Sequence, residues 1–102
     1  MDAETFAILA EPTRLRILET LRKSERSVGE LVHRLDLPQP TVSKHLRVMR
    51  RAGFVSSRVA AQRRIYRIKA ERFRELDKWL AGYRRMWTRH LDRLGRHLDE
   101  KE

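Results

Sequence analysis

The chain has 102 residues, of which 40% are hydrophobic and 37% are charged, a size and composition that allow one domain with a modest core. It contains no cysteine, which excludes disulfide bonds and thiolate metal sites, and no apolar run of about 18 residues, which excludes a membrane-spanning helix. The net charge of +10 favours a polyanionic partner, and the acidic residues 1–4 lack the apolar core of a secretion signal, so we expect a cytoplasmic protein.

Four helices are predicted in the first half of the chain, over residues 5–10, 13–23, 27–35 and 39–52. Ser27 with Glu30 three residues later matches a capping box at the start of the third helix, and residues 24–26 read as a polar turn before it. Gly53 is suited to end the fourth helix, because glycine readily adopts the left-handed conformation found there.

The third and fourth helices, separated by a turn of roughly four residues, form a helix-turn-helix unit. If Val42, Leu46 and Met49 face the core, the outer face of the fourth helix is mainly polar and cationic. The N-terminal part of this helix usually contacts base edges. Thr41 is either a phosphate contact or a helix cap. The residues expected to contact DNA here are Gln39, Pro40, Thr41, Ser43, Lys44 and Arg47.

Two strands are predicted next, one over residues 54–60 and one around residues 65–68, with a hairpin tip at residues 60–63. Such a two-stranded wing would lie beside the fourth helix and reach the phosphate backbone or the minor groove. The wing residues expected to contact DNA are Arg58, Arg63 and Arg64.

Residues 70–98 are predicted to form one long helix, which could break at Gly82 or Gly95. Its apolar side chains recur three or four residues apart over more length than a core of this size needs, so we expect the second half to pair with a second copy of the chain. The aromatic residues among them either fill the core and interface or line a small apolar pocket. The residues of this helix expected at the dimer interface are Leu80, Tyr83, Trp87, Leu91 and Leu94.

The positive charge is concentrated in one third of the chain. Residues 44–74 contain eleven basic residues and one acidic residue, Glu71, whereas the rest of the chain has 13 residues of each sign. Arginines outnumber lysines 19 to 5, and the planar guanidinium fork suits phosphates and guanine edges. This distribution predicts a nucleic-acid-binding surface rather than a merely solubilising one, which would mix both signs.

Four segments, in unbroken order within residues 5–68, closely resemble the ArsR-type winged-helix repressors: AEPTRLRIL (10–18), VGEL (28–31), QPTVSKHL (39–46) and AGFV (52–55). The resemblance implies a mainly α winged helix-turn-helix fold of five or six helices with a β-wing. It also implies a homodimer, formed through the first and last helices, which adds Phe6 of the first helix to the expected interface. Such a dimer would repress transcription from a palindromic double-stranded DNA operator, in some members that of its own gene. The pattern of residues 79–94 resembles a metal-free, SdpR-like branch.

Many similar proteins sense metals, and here the chain departs from the family's pattern. Ser27 and Gly29 stand where a thiolate site would have cysteines, and two of the four ligand positions on the last helix are Trp79 and Arg93. We therefore expect no metal site and no cofactor. Whether His90 and His97 bind an ion in a dimer is left open, as is the small-molecule effector.

Other functions remain as alternatives: a metal- or ligand-responsive derepressor, an activator, or a non-specific nucleic-acid-binding protein. The last is disfavoured because most aromatic residues follow apolar helical stripes, and only Tyr66 lies among the arginines. An enzyme is not expected. Ser43 and His45 are two residues apart on one helix and therefore face opposite ways, so they cannot act as a nucleophile and its base.

Overall fold

The computed structural model describes the backbone of residues 1–101 and the side chains of residues 1–95. Within this part, five helices and three strands follow in the order α1 (Ala3–Leu9), α2 (Pro12–Lys23), β1 (Arg26–Ser27), α3 (Val28–Leu35), α4 (Gln39–Arg51), β2 (Val55–Ala60), β3 (Arg63–Ile68) and α5 (Ala70–Lys101). The predicted winged helix-turn-helix architecture, mainly helical with a small β-wing, is confirmed.

Side-chain caps fix where the first helices begin. α1 starts two residues earlier than predicted, because the Asp2 carboxylate accepts a hydrogen bond from the Thr5 N–H at 2.9 Å. At α3 the predicted capping box is confirmed: Glu30 N–H donates to Ser27 Oγ at 3.1 Å, and Ser27 N–H donates to Glu30 Oε1 at 3.2 Å. α3 is thereby anchored directly beside the sheet.

The wing is part of a three-stranded antiparallel sheet in the order β1-β3-β2, not the predicted two-stranded hairpin. Arg26, expected in a turn, pairs with Tyr66 of β3, and Ser27 pairs with Ile65. A two-residue strand has too little sequence to show an alternating pattern, which is why it was missed. Ala60 pairs with Arg63, so the hairpin turn has only two residues, and its first, Ala61, has φ +57°.

The core lies where α2, α3 and α4 meet the sheet. Its fully enclosed side chains include all three predicted from the stripe of α4, and they are Ile17, Leu31, Val42, Leu46, Met49, Phe54 and Val55. Gly53 has φ +85°, as predicted for the residue that ends α4. Arg72 Nε donates to the Ala52 carbonyl at 2.8 Å, which ties the start of α5 to the end of α4.

Helix α5 runs without a break through Gly82 and Gly95, contrary to the interruption considered from the sequence. Its 32 residues correspond to about 48 Å of helix, far more than the other helices. The first turns pack on the core, where the Phe73 and Phe54 rings meet edge to face at 5.5 Å. No helix of the described chain is both long enough and apolar enough to span a membrane.

Candidate nucleic-acid interface

Burial of one side of α4 determines which side chains face outward. Val42, Leu46 and Met49 are fully enclosed, so the opposite side presents Gln39 and Arg47 to solvent, with Ser43 half-buried between them. The N-cap of α4 is Pro38, and none of the described side chains forms a capping hydrogen bond at this end of the helix. Thr41 therefore does not cap α4, which was one of its two predicted roles.

A groove of about 610 Å³ lies between α4, the start of α3 and the wing. It brings together five of the nine predicted DNA contacts, namely Gln39, Ser43, Arg47, Arg63 and Arg64. Among the residues whose side chains are described, none that lines this groove is acidic, and the other lining residues are Ser27, Val28, Gly29, Arg50, Gln62 and Tyr66. The arrangement combines hydrogen-bonding side chains on a helix with guanidinium groups from two elements, which suits a phosphate-bearing polymer.

Four predicted contacts do not line the groove: Pro40, Thr41, Lys44 and Arg58. Pro40 and Lys44 are exposed elsewhere on α4, whereas Arg58 projects from β2 toward the carboxylate of Glu25.

Two groove residues, Arg50 and Gln62, were missed. Arg50 continues the line of Ser43 and Arg47 at helical spacings of four and three, a signal the sequence contains, and its Nη1 donates to Ser57 Oγ at 3.4 Å. Gln62 occupies the hairpin turn, and its place in the groove depends on the strand register, which the sequence did not determine.

The four arginines of the wing differ in their partners. Arg58 forms a two-pronged ion pair with Glu25 at 2.7 and 3.1 Å, and Arg63 Nη2 donates to Glu30 Oε1 at 2.7 Å. Among the described residues, Arg64 and Arg67 donate side-chain hydrogen bonds only to serine hydroxyls, at 3.5 and 3.1 Å. The guanidinium groups of Arg64 and Arg67 therefore keep most of their donors available to a ligand.

The Glu30 carboxylate is held in its ionised form. The Ser27 N–H and then the Ser27 hydroxyl, with smaller contributions from Arg63 and Arg26, hold the pKa of Glu30 below its ordinary value. At neutral pH this carboxylate therefore neutralises part of the positive charge of the wing.

The model of the family described as "Bacterial regulatory protein, arsR family" matches residues 11–57. The chain is also 44% identical over 77 residues to the uncharacterised HTH-type transcriptional regulator Rv0081 of Mycobacterium tuberculosis, a match that covers 74% of this chain and 68% of that protein. The chain belongs to the ArsR family of bacterial regulatory proteins. The family predicted from the sequence is confirmed, whereas the SdpR-like branch stays a prediction.

Other comparisons place this ArsR-family chain among regulators. It is 42% identical over 65 residues to the HTH-type transcriptional repressor SmtB of M. tuberculosis, 64% of this chain and 48% of that protein. The chain thus spans about half the length of the curated relatives it matches. The crystal structure of Rv0081 superposes with a TM-score of 0.67 at 43% identity, covering 88% of each chain.

A third comparison concerns assembly. The homodimeric winged helix-turn-helix DNA-binding domain Mb0332 of Mycobacterium bovis has a TM-score of 0.65 at 28% identity, covering 87% of this chain and 80% of that one.

In our ArsR-family chain, α5 exposes a continuous apolar face whose large side chains are 41–61% exposed: Trp79, Tyr83, Met86, Trp87, Leu91 and Leu94. Phe6 of α1 extends this face, because its ring centroid lies 5.0 Å from that of Trp79, whereas Leu80 is half-buried.

His45 connects α4 to α2 on the side away from the groove. Arg14 Nε donates to His45 Nδ1 at 3.2 Å, and Glu11 Oε2 lies 3.7 Å from the same nitrogen. Ser43, two residues earlier, lines the groove, so the two side chains lie on different sides of the helix as predicted. This contact links α4 to the start of α2.

Two positions that the family resemblance aligns with metal ligands have structural roles here: Ser27, and Asp77, which aligns with the first ligand of the site on the last helix. Ser27 caps α3, and Asp77 accepts a hydrogen bond from Arg84 at 2.6 Å. Within the residues whose side chains are described, no three histidine, aspartate or glutamate side chains are grouped as metal ligands would be. His90 is exposed, and the side chain of His97 lies outside the described residues.

Proposed function

We propose that this ArsR-family chain is a sequence-specific repressor that binds double-stranded DNA as a homodimer. The observation that carries the proposal is the groove, in which α4 and the wing converge with four arginines and no carboxylate among the lining residues. Repression, rather than activation, is supported by similarity to a protein named as a transcriptional repressor.

In this proposal α4 enters the major groove, as the second helix of a helix-turn-helix unit does. Gln39 and Ser43 contact base edges, since a glutamine amide can form two hydrogen bonds with adenine. Arg47 and Arg50 contact phosphates or a guanine, and the wing tip follows the backbone or the minor groove. Lys44 lies outside the groove on the exposed side of α4 and contacts a flanking phosphate.

The homodimer forms through α1 and α5. Large apolar side chains exposed along one helical face, continuous with Phe6, are typical of a protein–protein interface rather than of a monomer surface. A twofold axis between two α5 helices would present two α4 helices to successive major grooves, about 34 Å apart. The operator is then palindromic, and a bound dimer blocks the promoter by occupancy.

Repression by this chain needs no metal and no cofactor, as in the SdpR-like branch, and the chain has no enzymatic activity. This part of the proposal is supported by Ser27 and Asp77, which the fold uses for helix capping and for an ion pair with Arg84. Titrating the purified dimer with zinc should leave DNA affinity unchanged. A large drop in affinity would instead assign the chain to the metal-responsive members.

Selection of bound sequences from a random duplex pool tests DNA recognition. We expect enrichment of an inverted repeat whose half-sites are about 10 base pairs apart, centre to centre. Binding without enrichment, or equal affinity for single strands, would refute a sequence-specific repressor. Ser43→Ala should weaken binding to the selected duplex without lowering the melting temperature.

The homodimer is tested by light scattering after size-exclusion chromatography. The wild type should have twice the chain mass of 12.3 kDa, and Trp87→Glu should shift it to a single chain, because it places a charge in the apolar face. Thr88→Glu is the matched control, since Thr88 is exposed on another side of α5 and the variant should stay dimeric. A monomeric wild type, or a dimeric Trp87→Glu, would contradict this interface.

A further inference from the structure

Two carboxylates, Glu25 and Glu30, hold arginines of the wing; we call them the wing carboxylates. Glu25 accepts from both Nη atoms of Arg58, and Glu30 accepts from Nη2 of Arg63. Each carboxylate is 33 residues before its arginine in the sequence, so the pairs exist only because the fold places β1 and α3 against β3 and the hairpin.

These pairs stand out because the basic segment has almost no acidic residue of its own. Residues 44–74 include a single acidic side chain, Glu71, and none lines the groove. The fold therefore brings negative charge from outside this segment to two of the four wing arginines. For the tightest binding to phosphates, all four guanidinium groups of the wing would be free of carboxylate partners.

From this geometry we infer that the wing carboxylates compete with DNA phosphates for Arg58 and Arg63 and so limit sequence-independent binding. The inference rests on the proposed DNA-binding function. Arg58 donates to Glu25 through both Nη atoms, so it cannot offer that pair to a phosphate until the contact opens, and Arg63 likewise cannot offer the Nη2 that Glu30 holds. Both pairs are half-exposed, so DNA can displace these contacts, at a modest cost in affinity.

The consequence is better discrimination between the operator and DNA of other sequences. Backbone contacts bind every sequence alike, whereas the side chains of α4 read bases, and the useful quantity is the ratio of specific to non-specific affinity. Holding back two wing arginines lowers the part of the binding that carries no sequence information. Glu25 and Glu30 would thus act as specificity determinants although neither faces a base.

The test uses Glu25→Gln and Glu30→Gln with a 30-base-pair duplex of arbitrary sequence, so no operator is needed. Glutamine at position 30 keeps the capping box, because Gln serves there as well as Glu. Glu19→Gln is the control: it removes the same charge from an exposed site on α2, outside the groove. We expect each wing variant to bind the duplex about three- to fivefold more tightly than the Glu19→Gln control.

A second arm isolates the pair itself. In an Arg58→Ala background, Glu25→Gln should give no gain beyond that of Glu19→Gln, because the arginine it releases is gone. Equal gains for all three glutamine variants, or a Glu25→Gln gain that survives Arg58→Ala, would overturn the inference while leaving DNA binding intact. A wild type that binds no duplex at all would instead refute the proposed function, and this inference with it.

Discussion

Replacing Arg64 with alanine should weaken DNA binding and reduce its dependence on salt. Arg64 lines the groove, and among the described side chains its only hydrogen-bond partner is the Ser57 hydroxyl, at 3.5 Å. Unlike Arg58 and Arg63, it need not break an ion pair to reach a phosphate. It is therefore the wing arginine whose removal reports most directly on phosphate contact.

The magnitude follows from counterion release. Each neutralised phosphate contributes about 0.9 to the slope of log K against log salt, so loss of Arg64 from both subunits of a dimer should lower that slope by about 1.8. When the salt concentration rises from 50 to 200 mM, affinity falls for both proteins, and the fold-loss should be about ten times smaller for the variant than for the wild type. At low salt, the variant should bind the duplex clearly more weakly than the wild type does.

Fluorescence anisotropy with a labelled duplex at four or more salt concentrations measures this slope. Arg22→Ala is the matched control, because this substitution removes the same charge from an exposed site on α2, away from the groove. An Arg64→Ala slope equal to that of Arg22→Ala would show that the wing does not touch the backbone at this residue, and the reasoning from the groove would fail.

Three further predictions concern the elements that support the groove. Ser27→Ala should lower the free energy of unfolding by about 1 kcal/mol in urea titrations, whereas Ser27→Thr, which can still cap α3, should lower it less. Ala61→Gly should raise it by about 1 kcal/mol, because the φ of +57° strains any residue with a Cβ, while Ala60→Gly in the adjacent strand should lower it. Because folding lowers the pKa of Glu30, its stabilising contribution is fully present above the ordinary glutamate pKa and is lost as the pH falls below that value. Glu30→Gln should therefore unfold with a shallower dependence on pH in the acidic range, and an unchanged dependence would contradict the assignment.

The parts of the fold predicted from sequence were those with a local physical signal. The spacing of Val42, Leu46 and Met49 determined the rotation of α4, and hence which of its residues face the groove. The capping box at Ser27 and the glycine at the end of α4 are likewise local, because both depend on residues within one turn of the helix end.

The rest depended on contacts between distant segments. Strand β1 forms only because β3 offers an edge to two residues, and Gln62 reaches the groove only because of the hairpin register. The pairing of Arg58 with Glu25 could not be predicted, since nothing in residues 44–74 indicates a partner 33 positions earlier. α5 stays intact at Gly82 because one glycine costs a long helix only about 1 kcal/mol relative to alanine.

Amide chemical-shift mapping of the labelled protein with a duplex selected from the random pool tests the central claim most directly. The account predicts that the largest shifts fall on residues 39–51 of α4 and residues 60–64 at the tip of the wing. Shifts confined to the outer face of α5 around Arg85 and Arg89, with α4 unchanged, would place the nucleic acid on the wrong side of the molecule and contradict it.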